Sequence, residues 1–275
     1  MKRASTIVTA LYDIQREKFD GRKWSDYLAW FSKTLKLNCH MVVFVSAELT
    51  DFVREHRAGQ PTDIIVQELE ETPYFFVKDR IEEVIKDDKY KTKMKDSSRI
   101  ECTSSLYTCI QYSKFKWMKY AAANFNSDYF VWMDAGLSRF FDNLDITKKY
   151  PGSAGISILE NNRGRVVTQL FSKNYPDLFH ADNLTEEYFW DSRSYVMGGM
   201  FAAAPAAINE IDTLTEDVLL HKMLNNNLVN NEQIALGYLV KNVNSLFSAF
   251  VNEGASKNHR NYELINILGA DDDDE

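Results

Sequence analysis

Asp134 closes an apolar run, Tyr129-Phe130-Val131-Trp132-Met133, and two small residues, Ala135 and Gly136, follow it. The run is too short for a helix and rich in aromatic and β-branched residues. It predicts a strand buried on both faces. A carboxylate at the C-terminal end of a central strand of an open α/β sheet stands where such sheets bind ligands. The plain alternative is a turn, which Asp often starts. A second polar and aromatic pair, Tyr12-Asp13, ends the short β-branched run Thr6 to Tyr12. A third feature is Gly198-Gly199, inside the apolar segment Tyr195 to Ala203. Paired glycines weaken a strand, so they mark either a bulge or the close approach of another group.

These residues need a scaffold, and the chain supplies a regular one. Thr6–Tyr12, Met41–Val45 and Asp63–Val66 read as strands. Between them, 24–37 has apolar residues at helical spacing, and 47–56 suits a helix. Strand, helix, strand, helix, strand implies a parallel sheet with right-handed crossovers. A helix over 73–85 follows. The longest expected helix is 104–123, with an apolar stripe of Leu106, Ile110, Trp117, Tyr120 and Ala121; it leads straight into the Asp134 strand. Ala154–Leu159 and Val166–Leu170 read as a strand pair joined by a loop at 160–165. Pro205 suits the first turn of a helix, and Asn230-Asn231-Glu232-Gln233 caps another over 234–240. No Gly-rich G-x-G-x-x-G opens the first helix and no G-K-[ST] loop occurs, so the dinucleotide and P-loop fingerprints are absent.

The chain has 275 residues, enough for a substantial core. No Pro- or Gly-rich linker divides it, so one domain is expected over 1–268, followed by an acidic, disordered tail at 269–275. The net charge is −8, which argues against nucleic acid or an anionic membrane as the main partner. The three cysteines, Cys39, Cys102 and Cys109, lack the spacing of a disulfide framework or a zinc site and fit a reducing compartment. The N-terminal apolar piece is too short for a signal-peptide core, and no stretch approaches a membrane span. A soluble cytoplasmic protein is expected.

Thr6-Ile7-Val8-Thr9-Ala10-Leu11-Tyr12-Asp13-Ile14 and Trp132-Met133-Asp134-Ala135-Gly136 together resemble the bacterial HtrL/YibB-like family, and more broadly the nucleotide-sugar glycosyltransferases of the GT-A type. Related domains occur in sugar-transferring proteins of large algal viruses. The resemblance runs from the first strand to the Asn231-Glu232-Gln233 helix. It implies a GT-A-like, mostly parallel α/β sheet flanked by helices. It also implies a hexosyl- or pentosyltransferase that moves a sugar from a UDP-linked donor to a hydroxyl of a glycan acceptor. In such enzymes an Asp-x-Asp motif holds Mn2+ or Mg2+ on the donor diphosphate. Asp134 matches its first Asp; Gly136 stands in the second position and departs from the pattern. A magnesium-like ion often uses only one or two protein carboxylates, and His259 resembles a late His ligand.

By the same resemblance, Thr9, Ala10, Tyr12 and Asp13 cradle the nucleotide, and Arg16 reaches the diphosphate. Lys114 aims at the donor, beside Asp134, Ala135 and Gly136. Gly198-Gly199 lets the donor sugar lie against backbone. Asp191 and Glu232 are the candidate catalytic carboxylates, either of which would take the acceptor's proton in an inverting enzyme. Each has an ordinary counterpart reading: a core strand end for Thr9 to Asp13, a solvated helix face for Lys114, a capping role for Glu232. The competing functional reading is a GT-A-like domain that binds nucleotide or glycan without turnover, favoured by Gly136. A nucleotidyltransferase is a third possibility, disfavoured because no Gly-rich basic loop cradles a triphosphate.

Overall fold

The computed structural model describes residues 2–171, 177–178, 184–251 and 262–272. Its centre is a seven-stranded sheet in the order β3-β2-β1-β4-β6-β5-β7. The strands are β1 (Arg3–Leu11), β2 (Met41–Val45), β3 (Thr62–Val66), β4 (Ser127–Met133), β5 (Val166–Leu170), β6 (Met200–Ala203) and β7 (Phe247–Val251). Four of the six neighbouring pairs are parallel; β6 alone runs against both β4 and β5. The expected mostly parallel α/β sheet is therefore present.

Helices cover both faces. They are α1 (Trp24–Thr34), α2 (Thr50–His56), α3 (Lys78–Lys86), α4 (Ser105–Asn124), α5 (Ser153–Asn161), α6 (Pro205–Asp217), α7 (Glu232–Asn242) and α8 (Glu263–Gly269). β4 shows why both faces must be covered. Phe130 and Trp132 pack with Phe115, Trp117 and Met118 of α4. Tyr129, Val131 and Met133 point the other way, toward Phe31 of α1 and Leu264 and Leu268 of α8. Each large apolar side chain so buried contributes about 1.5–3 kcal/mol.

Topology decides where a ligand can sit. From β1 the chain builds outward to β2 and β3, then returns to place β4 on the opposite side of β1. The crossovers therefore diverge between β1 and β4, opening a crevice beyond the carboxyl ends of these two strands. Asp13 and Asp134 both follow these ends.

Two sequence expectations need correction. Ala154–Leu159 is helix α5, not a strand. Its buried residues, Gly155 and Leu159, are four apart and share one helix face. The partner for that face is α8, far away in sequence: a Cβ on Gly155 would lie 2.1 Å from the Leu268 carbonyl oxygen. The apolar side of α4 also differs from the expected stripe. Tyr120 is exposed, whereas Ser113 and Lys114 are buried, because α4 is packed between the sheet and α6. The start of the acidic end is docked: Asp271 Oδ1 accepts from Ser153 N at the head of α5 (3.0 Å), and Gly269 closes α8. Residues 273–275 lie outside the described residues.

Gly155→Ala pushes a methyl group into the α8 backbone and is expected to destabilise the protein by about 1–3 kcal/mol, lowering Tm by several degrees in calorimetry. Gly164→Ala is the control, because nothing lies within 4 Å of its Cβ position. Equal shifts in the two variants would show that α5 and α8 are not in close contact.

Candidate functional site

A cleft of about 780 Å³ opens beyond the ends of β1 and β4. Ala10, Tyr12, Asp13 and Arg16 line one side of it, and Lys114, Asp134, Ala135 and Gly136 line another. Thr9 does not reach the wall; it is a core position of β1 with a buried, unpartnered Oγ1.

The floor is built by α4. Its N-cap Ser104 accepts from Tyr107 N (3.3 Å). Two turns on, Lys114 lies under the end of β4, 1% exposed. The Lys114 ammonium donates to Glu232 Oε1 (3.0 Å), to the Gly198 carbonyl (3.0 Å) and to Asp134 Oδ1 (3.4 Å). Its three N–H groups are thus used by the protein. Burial works against the charge, but Asp134 and Glu232 outweigh it and hold the ammonium above the ordinary lysine range. Asp134 Oδ1 also accepts from Trp132 Nε1 (2.7 Å). The Asp134 side chain keeps 37% of its surface exposed.

Glu232 is the first residue of α7, whose N-cap Asn231 accepts from Ile234 N (3.1 Å). It is 1% exposed and its Oε2 has no partner. Burial pushes its carboxyl upward and Lys114 pulls it back. The neighbouring Gln233, not Glu232, lines the cleft. Gly198 is explained by the same carboxylate: a Cβ there would sit 2.3 Å from Glu232 Oε1. At Gly199 a Cβ would meet the Tyr262 hydroxyl at 2.7 Å. The close approach that the glycine pair signals is that of the protein's own side chains, and neither glycine lines the cleft. Here the chain runs beside β5, with Met197 N on the Gln169 carbonyl (2.8 Å), and enters β6 between β5 and β4, where the Gly199 carbonyl accepts from Asp134 N (2.9 Å).

Asp191 lies away from the cleft wall. Its carboxylate takes the Ser192 and Arg193 N–H groups (2.7 and 3.1 Å) and pairs with Arg193 and Lys95 (3.2 and 3.4 Å). Burial opposes its ionisation, but the Arg193 contacts more than offset this and leave it below the usual carboxylate range. Gly136 also has a local reason. A side chain there would start 3.3 Å from the Trp30 ring and 3.7 Å from Tyr27. An aspartate at 136 would press on α1. The turn itself is pinned to α1 by Thr34 Oγ1 on the Ala135 carbonyl (2.9 Å) and Ser138 Oγ on the Trp30 carbonyl (2.6 Å).

Aromatic rings tie the strand ends together. Tyr12 stacks on Trp117 (5.6 Å, 9°), and Trp117 stacks on Trp132 (6.0 Å, 11°). Such pairs add about 0.5–1.5 kcal/mol each. The Tyr12 hydroxyl is buried without a partner. Arg16 lies over the Tyr107 ring (4.8 Å) and pairs with Asp20, and its Nε is unpartnered. Sequence reasoning missed Tyr107, Tyr262, Arg22, Arg99 and Arg139 on this cleft. The available signal was Arg139's place, three residues beyond Gly136 in the turn after the Asp134 strand.

The end of β4 offers a divalent cation no unshared pair of carboxylates. Among the described residues no three His, Cys, Asp or Glu side chains come together to hold one. The position between the Asp134 and Glu232 carboxylates is filled by the Lys114 ammonium. His259 lies outside the described residues.

Residues 3–257 match the family described as "Bacterial protein of unknown function (HtrL_YibB)". The chain belongs to this family. Protein HtrL of Escherichia coli (strain K12) is 28% identical over 103 residues, 34% of this chain and 36% of that protein. The match thus spans about a third of the length of that curated relative. Mouse xyloside xylosyltransferase 1, in its apo form, is a structural neighbour with a TM-score of 0.46 at 9% identity, covering 91% of this chain and 85% of that one. No described helix is long and apolar enough to cross a membrane.

Lys114→Met leaves Glu232 as an uncompensated buried charge and is expected to destabilise the fold by about 3–5 kcal/mol. The double variant Lys114→Met/Glu232→Gln removes that charge and recovers a large part of the loss in urea denaturation. Equal losses in the single and double variants would mean that the ion pair does not hold the floor of the cleft.

Proposed function

We propose that this chain is a glycosyltransferase that moves a sugar from a nucleoside-diphosphate sugar, UDP-linked by resemblance, to a hydroxyl of a glycan acceptor. The observation that carries this reading is Asp134 at the mouth of the crevice between β1 and β4, facing a wall of rings and guanidinium groups. Ligands of open α/β sheets bind at such switch points. Rings such as Tyr107 and Tyr12 suit a base and a sugar face. Orphaned polar atoms on the same wall, the Tyr12 hydroxyl and Arg16 Nε, have hydrogen-bonding capacity that the protein leaves unused.

The chemistry asks for charge stabilisation and positioning. As the bond from sugar to diphosphate breaks, negative charge grows on the leaving phosphate, and fixed cations on the wall stabilise it. Asp134 keeps an exposed oxygen edge and is held in place by Trp132 and Lys114. It can accept from a donor hydroxyl and orient the sugar toward the acceptor. Glu232 and Asp191 remain the acceptor-base candidates from sequence, but both carboxylates are already committed to cations within the fold. That commitment favours a second reading, a domain that binds the donor without turning it over.

A screen of nucleotide sugars with released nucleoside diphosphate as the readout separates the two. The expected result is hydrolysis or transfer with one preferred donor, falling at least a hundredfold in Asp134→Ala while the thermal transition is retained. Removing one preorganised contact of this kind typically lowers kcat by about 10²–10³. Binding of a donor with no release of diphosphate would support the non-catalytic reading, and unchanged activity in Asp134→Ala would remove Asp134 from the site.

A further inference from the structure

The crevice has its own cations, and they differ in how far the fold uses them. Lys114 is saturated by Glu232, Gly198 and Asp134. Arg16 is committed in part to Asp20 and to two rings. Arg99 donates to the Ser192 carbonyl and to Asn230 Oδ1 (both 3.4 Å). Arg139 is different. It is exposed on the cleft wall and held flat by the Trp30 and Phe140 rings, 5.0 Å from each centroid. Among the described residues no carboxylate lies within salt-bridge distance of it, and no hydrogen bond engages its five N–H donors. Arg22 lines the same cleft, with one ion pair, at 3.6 Å to an Asp20 that also serves Arg16. Burial and the Arg22 charge both press against ionisation of Arg139. Two guanidinium groups lining one cleft, one of them stacked on rings and without an ion pair or hydrogen bond among the described residues, make a site suited to an anion. Guanidinium forks match phosphate oxygens two at a time.

We propose that Arg139, assisted by Arg22, is the phosphate subsite of this cleft, and that it binds a diphosphate without a divalent cation, Lys114 being the built-in countercharge of Asp134 and Glu232. The identity of the ligand as a donor diphosphate rests on the glycosyltransferase reading; the anion subsite itself does not. The Asp134 and Glu232 carboxylates already share the Lys114 ammonium, so a metal ion has no unshared pair of carboxylates to enter. The leaving diphosphate must then meet side-chain cations, and Arg139, with Arg22 lining the same cleft, is the one that has neither an ion pair nor a hydrogen bond among the described residues.

The test is calorimetric titration of the full chain with UDP, GDP and inorganic pyrophosphate, each in EDTA and in Mn2+. The expected result is binding in EDTA with a Kd within about threefold of that in Mn2+, weakened at least tenfold in Arg139→Ala and less in Arg22→Ala. Arg139 is exposed, so an unchanged thermal transition in Arg139→Ala separates loss of binding from loss of fold. Binding that appears only with Mn2+ overturns the metal-free subsite and leaves the glycosyltransferase reading standing. Binding in EDTA that Arg139→Ala does not weaken overturns the assignment of Arg139. Metal-free binding of pyrophosphate through Arg139, with neither nucleotide bound, supports the subsite and counts against the sugar-nucleotide reading. Failure of all three probes in both buffers overturns the subsite.

Discussion

A lysine with 1% of its surface exposed must find its countercharge inside the protein, and the arrangement around Lys114 follows from that requirement. Its ammonium draws together three chain segments that are far apart in sequence: Asp134 after β4, the Gly198 carbonyl before β6, and Glu232 at the head of α7. Each partner then constrains something else. Glu232 presses so closely on residue 198 that only glycine fits there. Asp134 is held by Trp132 Nε1 on one side and by its own N–H on the Gly199 carbonyl on the other. The end of β4, the entry into β6 and the start of α7 are thereby locked to one another.

This lock stands at the one place where the sheet topology opens a crevice. β1 and β4 are parallel neighbours whose outgoing connections diverge. The stacked Tyr12, Trp117 and Trp132 rings bridge those two strand ends on the face covered by α4. On the opposite face, α1 pins the turn after Asp134 through Thr34 and Trp30. The cleft is therefore rigid where Asp134 sits. Its outer wall is carried by the segment after β1, which holds Asp13, Arg16 and Arg22. A fixed carboxylate opposite arginine-bearing loop segments is an arrangement suited to an anionic ligand with a hydroxyl-rich portion.

The strand and helix rhythm of the first 70 residues was legible because each element carries its own short periodicity. Asp134 was legible for a related reason: an apolar run that ends abruptly in a carboxylate is a local signal. Helix α5 was misread as a strand because its apolar residues suit either period over six positions. The deciding contact, Gly155 on Leu268, lies at the other end of the chain. Lys114 was read from sequence as a side chain aimed at the donor or as a solvated face; it is not solvated, and its ammonium is engaged by Glu232, Gly198 and Asp134. Its burial is set by Glu232, 118 residues away, which no local pattern displays. Gly198-Gly199 was recognised as a point of close approach, but the approaching groups, Glu232 and Tyr262, come from distant segments.

The departure at Gly136 shows how the two kinds of information combine. From sequence alone, glycine in place of a second carboxylate reads as a loss. In the fold, position 136 faces Trp30 and Tyr27 of α1, and a side chain there would start in tight contact with the Trp30 ring, 3.3 Å away. Trp30 is also one of the two rings that hold Arg139 flat. The same ring that crowds position 136 thus stacks on a cation three residues later. A second carboxylate beside Asp134 would add negative charge to the same cleft wall that carries Arg139. The turn is consistent as built, not a motif with a part missing.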